Sequence, residues 1–327
     1  MRILVFEYIT GGGLATESLP VELLSTAEAM LEAKLSDLAG RTLKVLRDER
    51  LPTLPIKDNQ EIEVLSVKPG NFDSVWQKGL QWAEGVWLTA PESGGILAKL
   101  SSHVVSAGKK LLGSYPYAVA LAGDKLETTR ALTRVGIKCV PTWPLFEFAN
   151  QVPPPWVVKP RDGVGCVGAR IVWDLEELAT FPKDFLIQPR MAGEPMSISA
   201  IFAEGRAELL SVNRQRVKEE GGRFELLGCE VNALPQIGPR WRELCQKIAM
   251  AIPGLWGYVG IDLLLAHDEM LVLEINPRLT LSYAGLSQAI GSSVGEWIAQ
   301  LAEGKISLAE IALRRSRHSG RQVWVDA

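Results

Sequence analysis

Three histidines, His103, His267 and His318, are all that the 327 residues contain. That scarcity leaves a His-based zinc site or a Ser-His-Asp triad little to draw on. Cysteine is almost as sparse. Cys139, Cys166, Cys229 and Cys245 are widely scattered with no CxxC pair, which argues against a disulfide framework and for reduced thiols in a cytoplasmic protein. Neither sign of charge dominates: the formal net charge is −3, so the basic stripe that nucleic acid requires is missing. The one basic cluster, at 313–321, reads as a solvated segment close to the C-terminus. No apolar run reaches the ~20 residues of a membrane span. The opening MRILVFEYITGGG carries a basic residue and an apolar run, but the run is short and ends at Glu7. It reads as a first β-strand rather than a signal peptide. Internal repeats and low-complexity segments are also missing.

What is present is an ordinary globular balance, 47% hydrophobic and 22% charged, in a chain long enough for two or three domains. Residues 2–8 have the apolar continuity of a buried parallel strand and run into a TGGG turn. Leu24, Ala27, Leu31, Leu35 and Leu38 recur at three and four, so a helix follows, stopped by Gly40. Strands at 42–48 and 85–91 and a helix running into a strand over 98–113 complete an α/β layered unit of about 110 residues. A second unit opens where Asp124, with Glu127 three residues on, forms a capping-box pattern closed by Gly136. The Pro-rich stretch 151–156 is a connector. Beyond it come strand, glycine loop and strand, then strand, bend and strand. An amphipathic helix starts at Pro239 and carries Trp241, Leu244, Ile248 and Ile252, expected to pack on a hairpin over 258–277.

That hairpin holds the oddest residues. Two apolar runs are separated by His267, Asp268 and Glu269, the pattern of antiparallel strands joined by a short loop. A turn centred on Asp268 places Asp262 opposite Glu274, with Cβ atoms roughly 4.5–5.5 Å apart, where like charges repel. Side chains alternate, so Asn276 shares their face. Asp262, Glu274 and Asn276 thus make an all-oxygen cluster suited to a hard cation such as Mg²⁺. The competing reading is an edge hairpin with solvated charges.

Residues 159–168, KPRDGVGCVG, set Gly163, Gly165 and Gly168 in a turn after Lys159. Glycines let backbone N–H groups approach anionic oxygen, and a lysine beside them neutralises phosphate. No helix follows, so the loop is neither a Walker A nor a Rossmann fingerprint. A plain glycine-rich hairpin turn competes with this, as an ordinary surface lysine does for Lys125.

In combination these features resemble the ATP-grasp superfamily: a lysine at 124–125, a strand lysine before a flexible glycine loop, a Q-x-x-x-G bend, and an Asp…Glu-x-Asn cluster, in that order. The resemblance implies an α/β ATP-grasp fold. A Rossmann-like domain over 1–113 would precede two α+β subdomains, a lid over 114–191 and a metal-bearing one over 192–327, that sandwich ATP. It implies that Lys125 and Lys159 contact phosphate, that the loop with Gly163 and Gly165 closes over it, and that Gln188 and the backbone near Met191 read adenine. Asp262, Glu274 and Asn276 would hold Mg²⁺, two ions with Mn²⁺ as a substitute, and Arg278 would stand by the transferred phosphoryl group. Gln188 replaces the more usual glutamate; its carbonyl still accepts a hydrogen bond. The ribose glutamate is not at its usual place, and Glu194 is the candidate.

Within the superfamily, FEYITGGG, TAPESGG, SVNRQ and EINPRLTLSYAGL are similar to tyramine–glutamate ligases of methanofuran synthesis and to bacterial relatives serving methylofuran synthesis. That similarity implies an acceptor side lined by Glu7, Thr10, Gly11, Gly12, Glu92, Asn213, Gln215 and Ser282. Gly11–Gly13 also read as a βα turn, and Glu92 as a helix cap. The implied reaction is ATP-dependent phosphorylation of a carboxylate, the γ-carboxylate of glutamate, followed by attack of tyramine, tyrosine or another aromatic amine on the acyl phosphate. Glu7 or Glu92 is a candidate base. The expected partners are therefore small molecules, with neither nucleic acid nor membrane, and a homodimer as the assembly. Other ATP-grasp amino-acid or dipeptide ligases, an ATP-dependent kinase and a non-catalytic nucleotide-binding module are the alternatives.

Overall fold

The computed structural model describes residues 1–56, 60–234, 236–317 and 320–327. Two sheets organise it. The first is parallel: β1 (Ile3–Glu7), β2 (Leu43–Asp48), β3 (Ile62–Val67), β4 (Gly85–Thr89) and β5 (Lys110–Leu111), in the order β3-β2-β1-β4-β5. Helices α1 (Val21–Asp37), α2 (Phe72–Trp82) and α3 (Ile96–Ser106) connect them. Every residue of β1 and of β4 is buried, as the unbroken apolar runs require of strands covered on both faces. The strand order reverses between β1 and β4, and the crevice outside the carboxyl ends at such a reversal is where open α/β sheets take ligands. The sequence reading identifies neither β3 nor α2.

Next come α4 (Pro116–Gly123) and α5 (Lys125–Arg134), then a large antiparallel sheet. Its strands are β6 (Trp143–Pro144), β7 (Trp156–Lys159), β8 (Arg170–Val172), β9 (Leu186–Pro189), β10 (Glu194–Ala203), β11 (Arg206–Glu220), β12 (Arg223–Val231), β13 (Gly257–Ala266) and β14 (Glu269–Asn276). They lie in the order β14-β13-β10-β11-β12-β8-β7-β9-β6, and β15 (Val323–Asp326) pairs with β12. The remaining helices are α6 (Leu175–Leu178), α7 (Pro239–Ala251), α8 (Tyr283–Ile290), α9 (Val294–Ala302) and α10 (Leu308–Ser316). As expected, α7 buries Trp241, Leu244 and Ile248 against a core that includes Ile261, Leu263 and Val272 of the hairpin.

One hydrophobic core joins the two sheets. Ile3, Leu31 and Leu35 of the first unit pack with Tyr283, Leu286 and Trp297 of α8 and α9. Asp37, at the end of α1, accepts from the Tyr283 hydroxyl (2.6 Å), the Ser287 hydroxyl (2.7 Å) and the Gly295 amide (2.9 Å). A buried carboxylate is tolerated there because three donors replace its water. This packing holds the carboxyl end of β4 beside the β13–β14 hairpin.

Two local expectations need correction. Asp124 does cap α5, accepting from Leu126 N and Glu127 N, but Glu127 pairs with Arg130 and Arg161 instead of completing a capping box. The basic cluster at 313–321 is not simply a solvated segment: Arg315 is half-buried and donates to Leu210 O at 2.8 Å, because α10 packs on β11. His318 and Ser319 of that cluster lie outside the described residues.

Candidate active site

The hairpin comes first, since its geometry was read most directly from sequence. Asp262 of β13 is the register partner of Glu274 of β14, and Gly260 of Asn276. Asn276 Nδ2 donates to Asp262 Oδ2 at 3.0 Å, and Gln215 Nε2, reaching across from β11, donates to Asp262 Oδ1 at 2.9 Å. Burial and the facing Glu274 carboxylate push Asp262 up to about 8. Burial would raise Glu274 as well, but the Lys125 and Lys159 ammonium groups outweigh it and hold Glu274 at about 2. Two carboxylates that cannot both ionise freely mark a face short of positive charge.

Lysines flank that face. Lys125, the first residue of α5, places Nζ 3.3 Å from Glu274 Oε2 and also donates to Gly163 O of the glycine loop. Lys159 ends β7; burial lowers it to about 8 against the pull of Glu274. The loop between β7 and β8 turns through positive φ at Gly165 (61°), Cys166 (63°) and Gly168 (77°). A Cβ on Gly168 would sit 2.9 Å from Pro160 Cγ, so glycine is needed there for space as well as for φ. Asp162 fastens this loop to the first unit: Ser93 Oγ donates to its carbonyl at 2.7 Å and Gly94 N to its Oδ2 at 2.9 Å.

Arg278 ties the hairpin to the parallel sheet. Its Nε donates to Glu92 Oε2 at 2.9 Å, its Nη1 to Leu279 O at 3.0 Å, and its Nη2 lies 3.5 Å from Asn276 Oδ1. Glu92 stands three residues beyond β4 and is 8% exposed; it occupies the N-cap position of a 3₁₀ turn over Ser93–Gly95, but its side chain makes no cap hydrogen bond. Gly123 makes room: a Cβ there would meet Glu92 Cβ at 2.9 Å.

Other candidate residues lie nearby with different surroundings. Gln188 of β9 is buried and donates to Thr142 Oγ1 at 2.8 Å. Met191 packs with Val140 and Leu271, and its carbonyl accepts from Arg190. Glu194 is exposed and paired with Arg214. Asn213 and Ser282 belong to a closed network. Asn213 Nδ2 donates to the hydroxyls of Ser197 and Ser199, and Ser282 Oγ lies 3.0 Å from both Ser199 Oγ and Tyr258 OH. Their hydrogen-bonding capacity is largely taken up inside the chain.

Glu7 likewise binds its own turn, accepting from Thr10 N (2.7 Å) and Thr10 Oγ1 (2.8 Å). Gly11 and Gly12 are needed for packing, since Cβ atoms would sit 2.5 Å from Glu7 O and 2.3 Å from Val67 Cγ1. Sequence reading missed Lys34. It is wholly buried on α1, donates to Thr89 Oγ1 at 2.8 Å, and shares the carboxyl ends of β1 and β4 with Glu7. Its place inside an apolar helical face was the available signal.

The donor set fits a magnesium ion. Among the described residues no cluster of three or more His, Cys, Asp or Glu side chains forms an all-protein cage. Mg²⁺ does not need one, because it takes one or two carboxylates and completes its octahedron with water and phosphate oxygens.

Two lysines, a glycine loop and an opposed carboxylate pair converge here, a donor set with the chemistry to hold a polyphosphate and its metal. This chain belongs to the ATP-grasp family: residues 122–282 match the ATP-grasp domain model, and 42–119 the pre ATP-grasp 3 domain. It is 30% identical over 293 residues to the tyramine–L-glutamate ligase of Methanocaldococcus fervens, covering 87% of this chain and 89% of that one. Among solved structures, an ATP-grasp superfamily protein from Archaeoglobus fulgidus superposes with a TM-score of 0.71 at 24% identity, over 91% of this chain and 88% of that one. The biotin carboxylase domain of 2-oxoglutarate carboxylase from Hydrogenobacter thermophilus, solved with MgADP and bicarbonate, gives 0.72 at 15% identity, over 92% and 69%. The chain is accordingly an ADP-forming ligase that joins a carboxylate to an amine, with ATP as its nucleotide and Mg²⁺ as its metal. Among the described residues no helix is long and apolar enough to cross a membrane.

Proposed function

We propose that this ligase joins the γ-carboxylate of L-glutamate to an aromatic primary amine, tyramine or tyrosine, in the cytoplasm, within synthesis of a methanofuran- or methylofuran-type cofactor. The observation that carries the reading is the Arg278–Glu92 pair. It sets the phosphate-handling hairpin against the ligand crevice of the parallel sheet, so a carboxylate and an amine can meet beside the nucleotide. Similarity to a tyramine–L-glutamate ligase over most of both chains supports the choice of substrates.

In this reading Lys125, Lys159 and the loop at Gly163 and Gly165 bind the ATP phosphates, Gln188 and Met191 face adenine, and Glu194 serves the ribose. Asp262, Glu274 and Asn276 hold Mg²⁺, two ions replaceable by Mn²⁺, whose charge offsets that of the phosphates. Residues 1–113 then supply the acceptor crevice, 114–191 the lid and 192–327 the metal side, with a homodimer as the assembly. A glutamate carboxylate oxygen attacks the γ-phosphorus and ADP leaves. The amine nitrogen then attacks the acyl carbon, phosphate departs with the bonding electrons, and the nitrogen sheds a proton. Arg278 neutralises the charge that moves in the first step, and the lid loop excludes water from the acyl phosphate. No nucleophilic side chain is required.

Mass spectrometry of products from ATP, glutamate and a panel of aromatic amines tests this. A γ-glutamyl amide formed with one ADP per bond is expected. ADP release that needs glutamate but no amine would make the protein a kinase and overturn the proposal.

A further inference from the structure

The mechanism above leaves the amine without a holder. Glu92 is the buried group whose chemistry is unspent. One of its oxygens, Oε2, is bound by Arg278, while Oε1 is shielded from solvent and has no hydrogen-bond partner. An unpaired buried carboxylate oxygen is costly, more so when charged, so a donor that reaches it binds well.

Glu92 borders two openings. The larger, about 320 Å³, runs between α3 and α4 on one side and the lid on the other, and falls in the ~300–1,000 Å³ range of small-molecule sites. Ala98, Val119 and Ala120 give it an apolar wall; Asp162 and Asp184 face them from the lid. The smaller gap, also bordered by Glu92 and Gly123, leads to Lys125, Glu274 and Asn276. Glu92 thus stands at the junction between an apolar cavity and the phosphate side.

Charge selects the occupant. Four carboxylates, Glu92, Asp124, Asp162 and Asp184, border the larger cavity; Arg161 pairs with Asp124 at 2.8 and 2.9 Å and Arg278 with Glu92 at 2.9 Å, so Asp162 and Asp184 carry its net negative charge. Glutamate brings two carboxylates and would be repelled. An arylalkyl ammonium brings an apolar body for the alanine wall and a cation for Glu92.

We propose that this cavity is the amine subsite, with the aromatic body against Ala98, Val119 and Ala120 and the ammonium on the Glu92 carboxylate, whose Oε1 turns from its shielded position into the cavity to meet it. The inference rests on the amine ligase reading above. The Arg278 contact at the other oxygen then keeps the amine next to the phosphoryl site.

The test is equilibrium binding to the full chain with Mg²⁺ and a non-hydrolysable ATP analogue. The probes are tyramine and 4-ethylphenol, which lacks the nitrogen. Tyramine should bind at least tenfold more tightly than 4-ethylphenol. Glu92→Gln should remove most of that preference while leaving 4-ethylphenol unchanged. Ala120→Phe, on an exposed wall position, should weaken both probes at least tenfold and leave the ATP analogue unaffected. Equal binding of the two probes by the unaltered protein, an unchanged tyramine affinity in Glu92→Gln, or a loss confined to glutamate would overturn the assignment. The two readings fail separately. If no amide forms yet the ammonium preference depends on Glu92, the subsite stands and the reaction falls. If amide forms with an unchanged KM for the amine in Glu92→Gln, the reaction stands and the subsite falls.

Discussion

Asp262 faces Glu274 directly across the β13–β14 hairpin, and an extra residue in β14 brings them opposite one another. The turn itself is two residues, His267 and Asp268, both at positive φ (46° and 65°), between the paired Ala266 and Glu269. Carried on without interruption, that register would set Asp262 against Leu273 and turn Glu274 to the other face. A bulge at Leu273 shifts the ladder by one between Leu263–Val272 and Asp262–Glu274. The two carboxylates, and Asn276 beyond them, therefore share a face.

That pairing predicts the effect of Glu274→Gln. The amide is isosteric, removes a like charge facing Asp262 and loses the carboxylate's own attraction to Lys125 and Lys159. We expect the melting temperature to be retained and amide formation to fall on the order of 10²–10³-fold or more, the cost of losing one electrostatic stabiliser of the transition state. Steady-state rates at saturating Mg²⁺, with thermal melts, check this. Near-normal rates would remove Glu274 from the metal site.

Arg278 has its Nε on Glu92 and its Nη1 on Leu279 O, so the guanidinium is held in one orientation. Lysine at that position keeps a charge but loses the fork of parallel donors. Arg278→Lys is expected to lower kcat on the order of 10²–10³-fold with little change in the KM for ATP, because the contact matters most as charge moves. A higher KM for ATP or glutamate at unchanged kcat would assign Arg278 to ground-state binding.

Lys34 sets a pH dependence of stability. Burial lowers it from 10.5 to about 7, although Glu7 pulls the other way. Between those values the unfolded chain binds more protons than the folded one, so stability rises with pH. Below about 7 both states are charged and the penalty is constant. From pH 7 to 8.5, under the range where unfolded thiols ionise, the rise should be on the order of 1–2 kcal/mol. Because Asp262 and Lys159 also titrate near 8, the Lys34 contribution is read as a difference: in urea melts across that window the unaltered protein should gain this much more stability than Lys34→Met. An equal slope in both would show that Lys34 stays charged.

The hairpin, the glycine loop and the capped helix at Lys125 were legible in the sequence because each depends on residues close together in the chain. Alternation put Asp262, Glu274 and Asn276 on one face, and the polar break at 267–269 marked the turn. Even there the centre was read as Asp268, whereas the turn lies between His267 and Asp268, and the bulge at Leu273 supplies the difference. What only the tertiary structure decided joins distant segments. The Arg278–Glu92 pair spans 186 positions, Gln215 reaches Asp262 from another strand, and Lys34 enters between β1 and β4 from a helix. Periodicity carries no record of such pairs. The first follows from how α8 and α9 dock on α1, a packing of apolar surfaces many residues apart that brings the carboxyl end of β4 within hydrogen-bond reach of the hairpin, and the other two from the strand order of each sheet.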